Sequence, residues 1–359
     1  MMDQDFYLQT NADEGVDGDK DTISQEARHE TRPSRKLDKE MFSFFSREPS
    51  LGPALSVSAF FLLAFYLLIT YLPETKWIFE KTSLIGFSVI SIFFYLLIFL
   101  IPVVLFVYVQ KVPDHKILGT NPGVGVFLLS ALAGIPFAVL LTSLQNFFVY
   151  FVISNDITLP LPPFQFHTTD ISAEAQSLQI IVSVLIPIFL EEFLFRGFFF
   201  SVFPEKSFPV PKILLSAFLF AAFSLRPETI VTTFILGLLL GFIRQSSGNA
   251  LCSVLTRLSM AASLYFFSDL LPVLLLSDIR GKAEFDRTYL YTSVVAFTIC
   301  FIVSIPVLSQ LYVSGREILR LRNEMDPESD VPFFKSLGVF PFFIGILLVS
   351  CTWVLILGV

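Results

Sequence analysis

The chain has 359 residues, 54% of them hydrophobic and only 15% charged, with a formal net charge of −7. Soluble domains carry about 25% charged residues, so this composition excludes an ordinary soluble globular protein, and a mean hydropathy of +0.73 agrees. Three cysteines exclude a disulfide framework and a zinc ribbon, and the acidic balance leaves no basic surface for nucleic acid.

Residues 1–47 differ from everything that follows. They are acidic and polar up to Asp21, then mix both signs up to Glu40, with no sustained apolar period. This composition predicts a disordered cytoplasmic tail. It is not a signal peptide, because no apolar core follows a short basic start. Met-Met-Asp at the start lacks the glycine that myristoylation requires. The cluster Arg32, Arg35, Lys36 and Lys39 reads as a solvated topology signal, with contact to anionic lipid as the other reading.

From residue 50 onward, apolar runs recur that are long enough to span about 30 Å of hydrocarbon. About nine are expected, near 53–72, 84–109, 124–153, 175–195, 211–225, 229–245, 249–268, 288–312 and 337–359. In lipid every backbone polar group needs an internal partner, so the runs are predicted to be helices. The fold class is therefore all-α, a polytopic transmembrane helix bundle. The third run is overlong and contains Pro136, so a tilt or kink is expected there. The fifth and sixth are short and separated by the tight turn Arg226-Pro227-Glu228. Leu270 to Leu276 reads as an interfacial continuation.

Orientation follows from Lys and Arg near the spans. Arg32, Arg35, Lys36, Lys39 and Arg47 precede the first span, and the connection 154–174 has neither residue. Lys206 and Lys212 follow the fourth span, and Arg316, Arg320, Arg322 and Lys335 follow the eighth. Lys76, Lys81, Arg280, Lys282 and Arg287 break the pattern mildly. The best fit is a cytoplasmic N-terminus, an outer C-terminus and a plasma (bacterial inner) membrane.

Polar features concentrate in spans four to seven. Glu191-Glu192-Phe-Leu-Phe-Arg196-Gly197 is expected to close the fourth span at its cytoplasmic end. Two adjacent carboxylates in an apolar helix are costly unless paired or wet. Glu192 and Arg196 are spaced i, i+4 and can pair on one face. Glu191 lies about 100° around the helix and is expected to stay free for another partner, as a general base requires. The bland reading is that these residues mark the point where the helix leaves the bilayer. Pro187 lies one turn earlier and is expected to bend the helix. Gly237 and Gly241 form a small-residue pair suited to close helix packing. Cys252, Cys300 and Cys351 read as small apolar residues.

The EExxxRG pattern closing an apolar helix resembles the first motif of the CAAX-protease and bacteriocin-processing (CPBP, or Abi) family of intramembrane proteases. The resemblance implies two later motifs, FxxxH and HxxxN/D, with the first Glu activating water and the two His and the Asn completing the oxyanion site. It also implies an intramembrane peptidase, a hydrolase, acting on lipidated or transmembrane peptides in membrane lipid, with zinc in the family a matter of debate. By that resemblance Glu191, Glu192 and Arg196 are the catalytic motif. The later motifs are degenerate here: Phe220 is retained, Ser224 and Arg257 stand where His is expected, and Ala261 where Asn or Asp is expected. The three histidines, His29, His115 and His167, all lie outside the resembling region, so the zinc ligands are absent and no cofactor or metal is expected.

The chain is thereby divided into a tail at 1–47, N-terminal spans at 50–170, a CPBP/Abi-like core at 171–270 and C-terminal spans at 271–359. A lone Arg in a membrane helix is costly unless paired, so a buried Glu191–Arg257 ion pair is expected, with snorkelling of Arg257 as the other reading. Three functions follow: an active protease with a rewired site, a pseudoprotease that binds a membrane or lipidated partner, or an unrelated transporter or assembly protein. The third should show paired broken helices or internal symmetry, and neither is visible.

Overall fold

The computed structural model describes residues 50–71, 84–155, 178, 180–203, 209–267, 287–325 and 333–358. The expected tail at 1–47, most of the connection 154–174 and the stretch Leu270–Leu276 lie outside the described residues, as do His29 and His167. Among the described residues there is no β-strand; a single isolated antiparallel bridge joins Gly119 and Asn249.

The helices follow the apolar runs. They are α1 (Leu51–Tyr71), α2 (Leu84–Tyr95), α3 (Ile101–Gln110), the short α4 (Asp114–Leu118) and α5 (Val124–Ser154). Next come α6 (Ile186–Glu192), α7 (Phe199–Val202), α8 (Pro209–Phe223), α9 (Ile230–Ser247) and α10 (Ala250–Phe267). The chain ends with α11 (Arg287–Met325), the short α12 (Phe333–Leu337) and α13 (Val339–Leu357). A π-helical turn, Leu96–Leu100, makes α2 and α3 continuous. Two more π turns, Ile181–Leu185 and Phe193–Phe198, flank α6.

This is a polytopic helix bundle and an integral membrane protein. Each of the nine expected runs contains helix. Among the described residues, six helices are long and apolar enough to cross a membrane by length and composition. The runs Pro209–Phe223 and Ala250–Phe266 are shorter, and the fourth run is a chain of short α and π pieces. Helix α11 continues to Met325, well past the expected end at 312, so its charged last turns extend the apolar rod.

Two apolar clusters organise the bundle. In the first, α1 packs along α13 and meets the aromatic residues of α3, the motif helix and α8. Close approach is possible because Gly52 has no side chain where the backbone of Gly338 and Phe342 passes. The Ser56 hydroxyl donates to Pro341 O, and Tyr66 Oη donates to Leu355 O at 3.3 Å. In the second cluster, α5 packs against α10 and α11. Polar cross-links stitch these helices: Thr256 Oγ1 donates to Ser130 O at 2.8 Å, and Asn146 Nδ2 donates to Ser293 Oγ at 3.0 Å. Such bonds are each worth roughly 0.6 kcal/mol in membranes. Leu236 of α9 packs against both clusters, which puts α9 between them.

Candidate functional site

The motif helix is built by two adjustments to α geometry. Pro187 is near the start of α6, directly after the first π turn. A proline ring collides with the carbonyl four residues back in a regular helix. The wider turn relieves that conflict, and Ile186 N–H donates five residues back to Ile181 O. The second π turn carries Arg196 and Gly197. Gly197 leaves room for Ile117, whose side chain would lie 3.1 Å from a Cβ at that position. Pi turns recur at functional sites because they re-aim side chains by part of a turn.

Glu191 and Glu192 therefore do not close the helix. The helical path continues through the second π turn and α7 to Val202. The pair lies inside the apolar segment, with buried Ile188 before it and buried Leu194 and Phe195 after it. This corrects the expected position at a helix end. Interior carboxylates need partners, and the bundle supplies two arginines.

Glu192 and Arg196 form the predicted i, i+4 pair, with Arg196 Nη1 3.3 Å from Glu192 Oε1 and both side chains fully buried. Arg196 Nη2 also donates to Gly237 O at 3.1 Å. Gly237 can present that carbonyl because α8 and α9 touch there: a Cβ on Gly237 would stand 2.7 Å from Ala217 Cα. Gly241, one turn on, faces Ile213 at 3.1 Å by the same measure. Both glycines lie where α8 and α9 approach closely.

Arg257 of α10 reaches across and touches both carboxylates. Its Nη1 lies 2.8 Å from Glu191 Oε2 and 3.1 Å from Glu192 Oε1. Glu191 thus has the partner that was expected for it, the Arg257 guanidinium. The residue that completes it comes from a helix 60 residues further along the chain, which spacing within one helix cannot report. The pair is partly shielded rather than buried, at 14% exposure for Arg257 and 18% for Glu191. Phe220 lies between the guanidiniums, its ring centroid 4.4 Å from Arg196 Cζ and 5.1 Å from Arg257 Cζ. Two carboxylates and two guanidiniums cancel in formal charge, and the aromatic face adds cation–π attraction where water is scarce.

A cavity of about 350 Å³ opens on one side of this cluster. Glu191, Arg257, Phe220 and Ser224 all line it, so the helices that carry the three motif settings converge. Ser224 Oγ donates to Ala221 O at 2.7 Å, back along its own chain. Ala261 lies one turn beyond Arg257 on α10 and is not part of the cavity wall. The remaining wall is mainly aromatic and aliphatic: Leu62, Phe65, Phe94, Phe99, Phe195 and Phe223. Phe195 meets Phe220 and Phe223 edge to face at 5.4 and 5.7 Å.

Sequence reasoning missed several contributors. Tyr95 and Arg226 line the cavity but belong to no motif. Arg244 is buried in the last turn of α9, where Nε donates to Arg196 O at 2.9 Å and Nη2 to Lys116 O at 3.3 Å. A cation in the last turn of a helix that ends at Gly248 was the available signal. Asn249 caps the next helix, accepting Leu251 N–H at 2.8 Å.

The zinc debated for the resembling family finds no fitting donor set here. Among the described residues no group of three or more His, Cys, Asp or Glu converges. A catalytic zinc takes three protein ligands and repels a neighbouring cation, whereas a guanidinium already occupies the space between these two carboxylates.

The described helices define the class: an integral membrane protein whose helix bundle holds a buried charged cluster. Within it, residues 173–262 match the family model Rce1-like, type II CAAX prenyl endopeptidase. The match covers 90 of 359 residues and holds the motif helix, α8, α9 and most of α10. No curated protein and no solved structure matches the chain.

Proposed function

We propose that this protein is a CAAX-protease-like membrane protein that binds lipidated or transmembrane peptides at the Glu191 cavity, with its hydrolytic step disabled. The observation that carries the reading is the Arg257 guanidinium 2.8 Å from Glu191, on the wall of a cavity sized for a small apolar ligand.

Hydrolysis by a glutamate base needs a carboxylate lone pair free to take a proton from water. Arg257 Nη1 holds Glu191 Oε2 with a charge-assisted bond worth about 1.5–3 kcal/mol. The pairing therefore lowers the population of unpaired Glu191 by roughly 10- to 100-fold. The resemblance implies two His and an Asn for the rest of the chemistry, and Ser224, Arg257 and Ala261 stand in their places. A hydroxyl does not exchange protons near neutral pH as imidazole does, and a methyl does nothing for an oxyanion. Loss of general acid–base help costs about 10²- to 10⁴-fold by itself.

Binding asks less of the site. Phe65, Phe94 and Phe99 offer an apolar wall for an isoprenoid or a side chain, while Ser91, Ser183 and Thr233 offer hydroxyls to a peptide backbone. The Lys and Arg distribution supports nine crossings with a cytoplasmic N-terminus, in the plasma membrane (the inner membrane of a bacterium).

The test uses the full-length protein in nanodiscs. A fluorescent farnesylated peptide is expected to bind saturably without being cleaved. The variant carrying Ser224→His, Arg257→His and Ala261→Asn is expected to gain cleavage. Absence of saturable binding to the wild type would overturn the reading.

A further inference from the structure

The cavity has a charge that the motif cluster does not cancel. Glu191 and Arg257 on its wall neutralise each other, and Glu192 and Arg196 do the same behind it. Arg226 also lines the cavity, is exposed, and makes no ion pair among the described residues. Among the described residues, the ionised wall therefore carries a net charge of one positive unit.

The position of Arg226 is not that of an idle turn residue. It follows Leu225, whose φ of +50° is a left-handed conformation unfavourable for a residue with a Cβ. Leu225 is buried and also lines the cavity. Such strain survives where the surrounding structure enforces it, and it clusters at ligand sites. The turn is fixed on its far side: Thr229 N–H donates to Arg226 O at 3.2 Å. Gln145 Nε2 of α5 donates to Glu228 O at 2.6 Å, and its Oε1 accepts from Thr232 Oγ1 at 2.6 Å. The guanidinium is thus mounted on a turn that is held rather than loose. The same wall carries hydroxyls (Ser224, Thr229, Thr233) and aromatic rings.

We infer that Arg226 is a specificity residue that captures the free terminal carboxylate of a prenylated peptide ligand whose isoprenoid occupies the Phe-lined part of the cavity. This rests on the binding reading above. A guanidinium presents parallel N–H donors that match a carboxylate in bidentate fashion. In a partly dry cavity, leaving that arginine opposite a neutral group forfeits most of the bond. The ligand end-group is therefore discriminated by charge, and the chain by apolar fit.

The experiment uses the full-length protein in nanodiscs and two probes, N-acetyl-S-farnesylcysteine and its methyl ester. The wild type is expected to bind the acid about tenfold more tightly than the ester. In Arg226→Gln that ratio is expected to fall to within about twofold through loss of acid binding, with ester affinity kept. Arg226→Lys is expected to retain part of the preference, because it keeps charge without the fork. Equal binding of acid and ester by the wild type, or an undiminished ratio in Arg226→Gln, overturns the role of Arg226 while leaving the cavity reading intact. Binding of neither probe overturns both. If Arg226→Gln fails to fold, the wild-type ratio and the Arg226→Lys ratio still decide. A hexadecanoate arm separates isoprenoid recognition from capture of any anionic single chain: binding equal to the farnesyl acid overturns the peptide assignment.

Discussion

Glu191 and Glu192 are neighbours in sequence and occupy two different environments. Glu192 is sealed, with Arg196 on one side and Arg257 on the other, and neither it nor Arg196 reaches solvent. Glu191 faces the cavity and shares with Arg257 an ion pair that is part-exposed. The difference separates two jobs that a paired-carboxylate motif can do. The sealed side holds the motif helix to α9 through the Gly237 carbonyl. The cavity side sets what the site can bind and whether a base is free. On the proposed reading, the residues at the later motif positions alter the second job while the first holds the fold.

That contrast orders the expected effects. Arg196→Ala leaves Glu192 buried with one cation at its edge and orphans the Gly237 carbonyl. Removing one member of a buried pair costs about 3–5 kcal/mol, so a large fall in apparent Tm in detergent is expected. Gly237→Leu drives a side chain into the Ala217 backbone, at an expected cost of about 1–3 kcal/mol, and should lower Tm by less. Glu191→Gln acts on the exposed side, and Arg257 keeps Glu192. Its expected cost is about 1 kcal/mol or less after discounting for exposure. A Tm loss for Glu191→Gln equal to that of Arg196→Ala would break the distinction between the two sides.

Much of this was legible in the sequence, for identifiable reasons. Apolar run length dictates helices where no water can serve the backbone, so the element order was readable. The Glu192–Arg196 pair was readable because i, i+4 spacing fixes its geometry within one helix. The Glu191–Arg257 pair was readable from the cost of a lone arginine in an apolar helix. That Arg257 would touch both carboxylates depends on how α10 crosses the motif helix, which is a tertiary fact. The position of the motif in mid-helix was misread because Arg196-Gly197 looks like an exit signal. The π turn and the packing of Gly197 on Ile117 carry the helix onward instead. Arg226 and Tyr95 were invisible because no spacing rule connects a turn or an apolar helix to a distant carboxylate.

The central claim is that Glu191 is held by Arg257 and does no hydrolysis. Its most direct test is the cleavage rate of a farnesylated CAAX-type peptide by the full-length wild type and by Glu191→Gln, side by side in the same nanodiscs. The account expects no product above background from either protein. Product formed by the wild type and abolished by Glu191→Gln would contradict it.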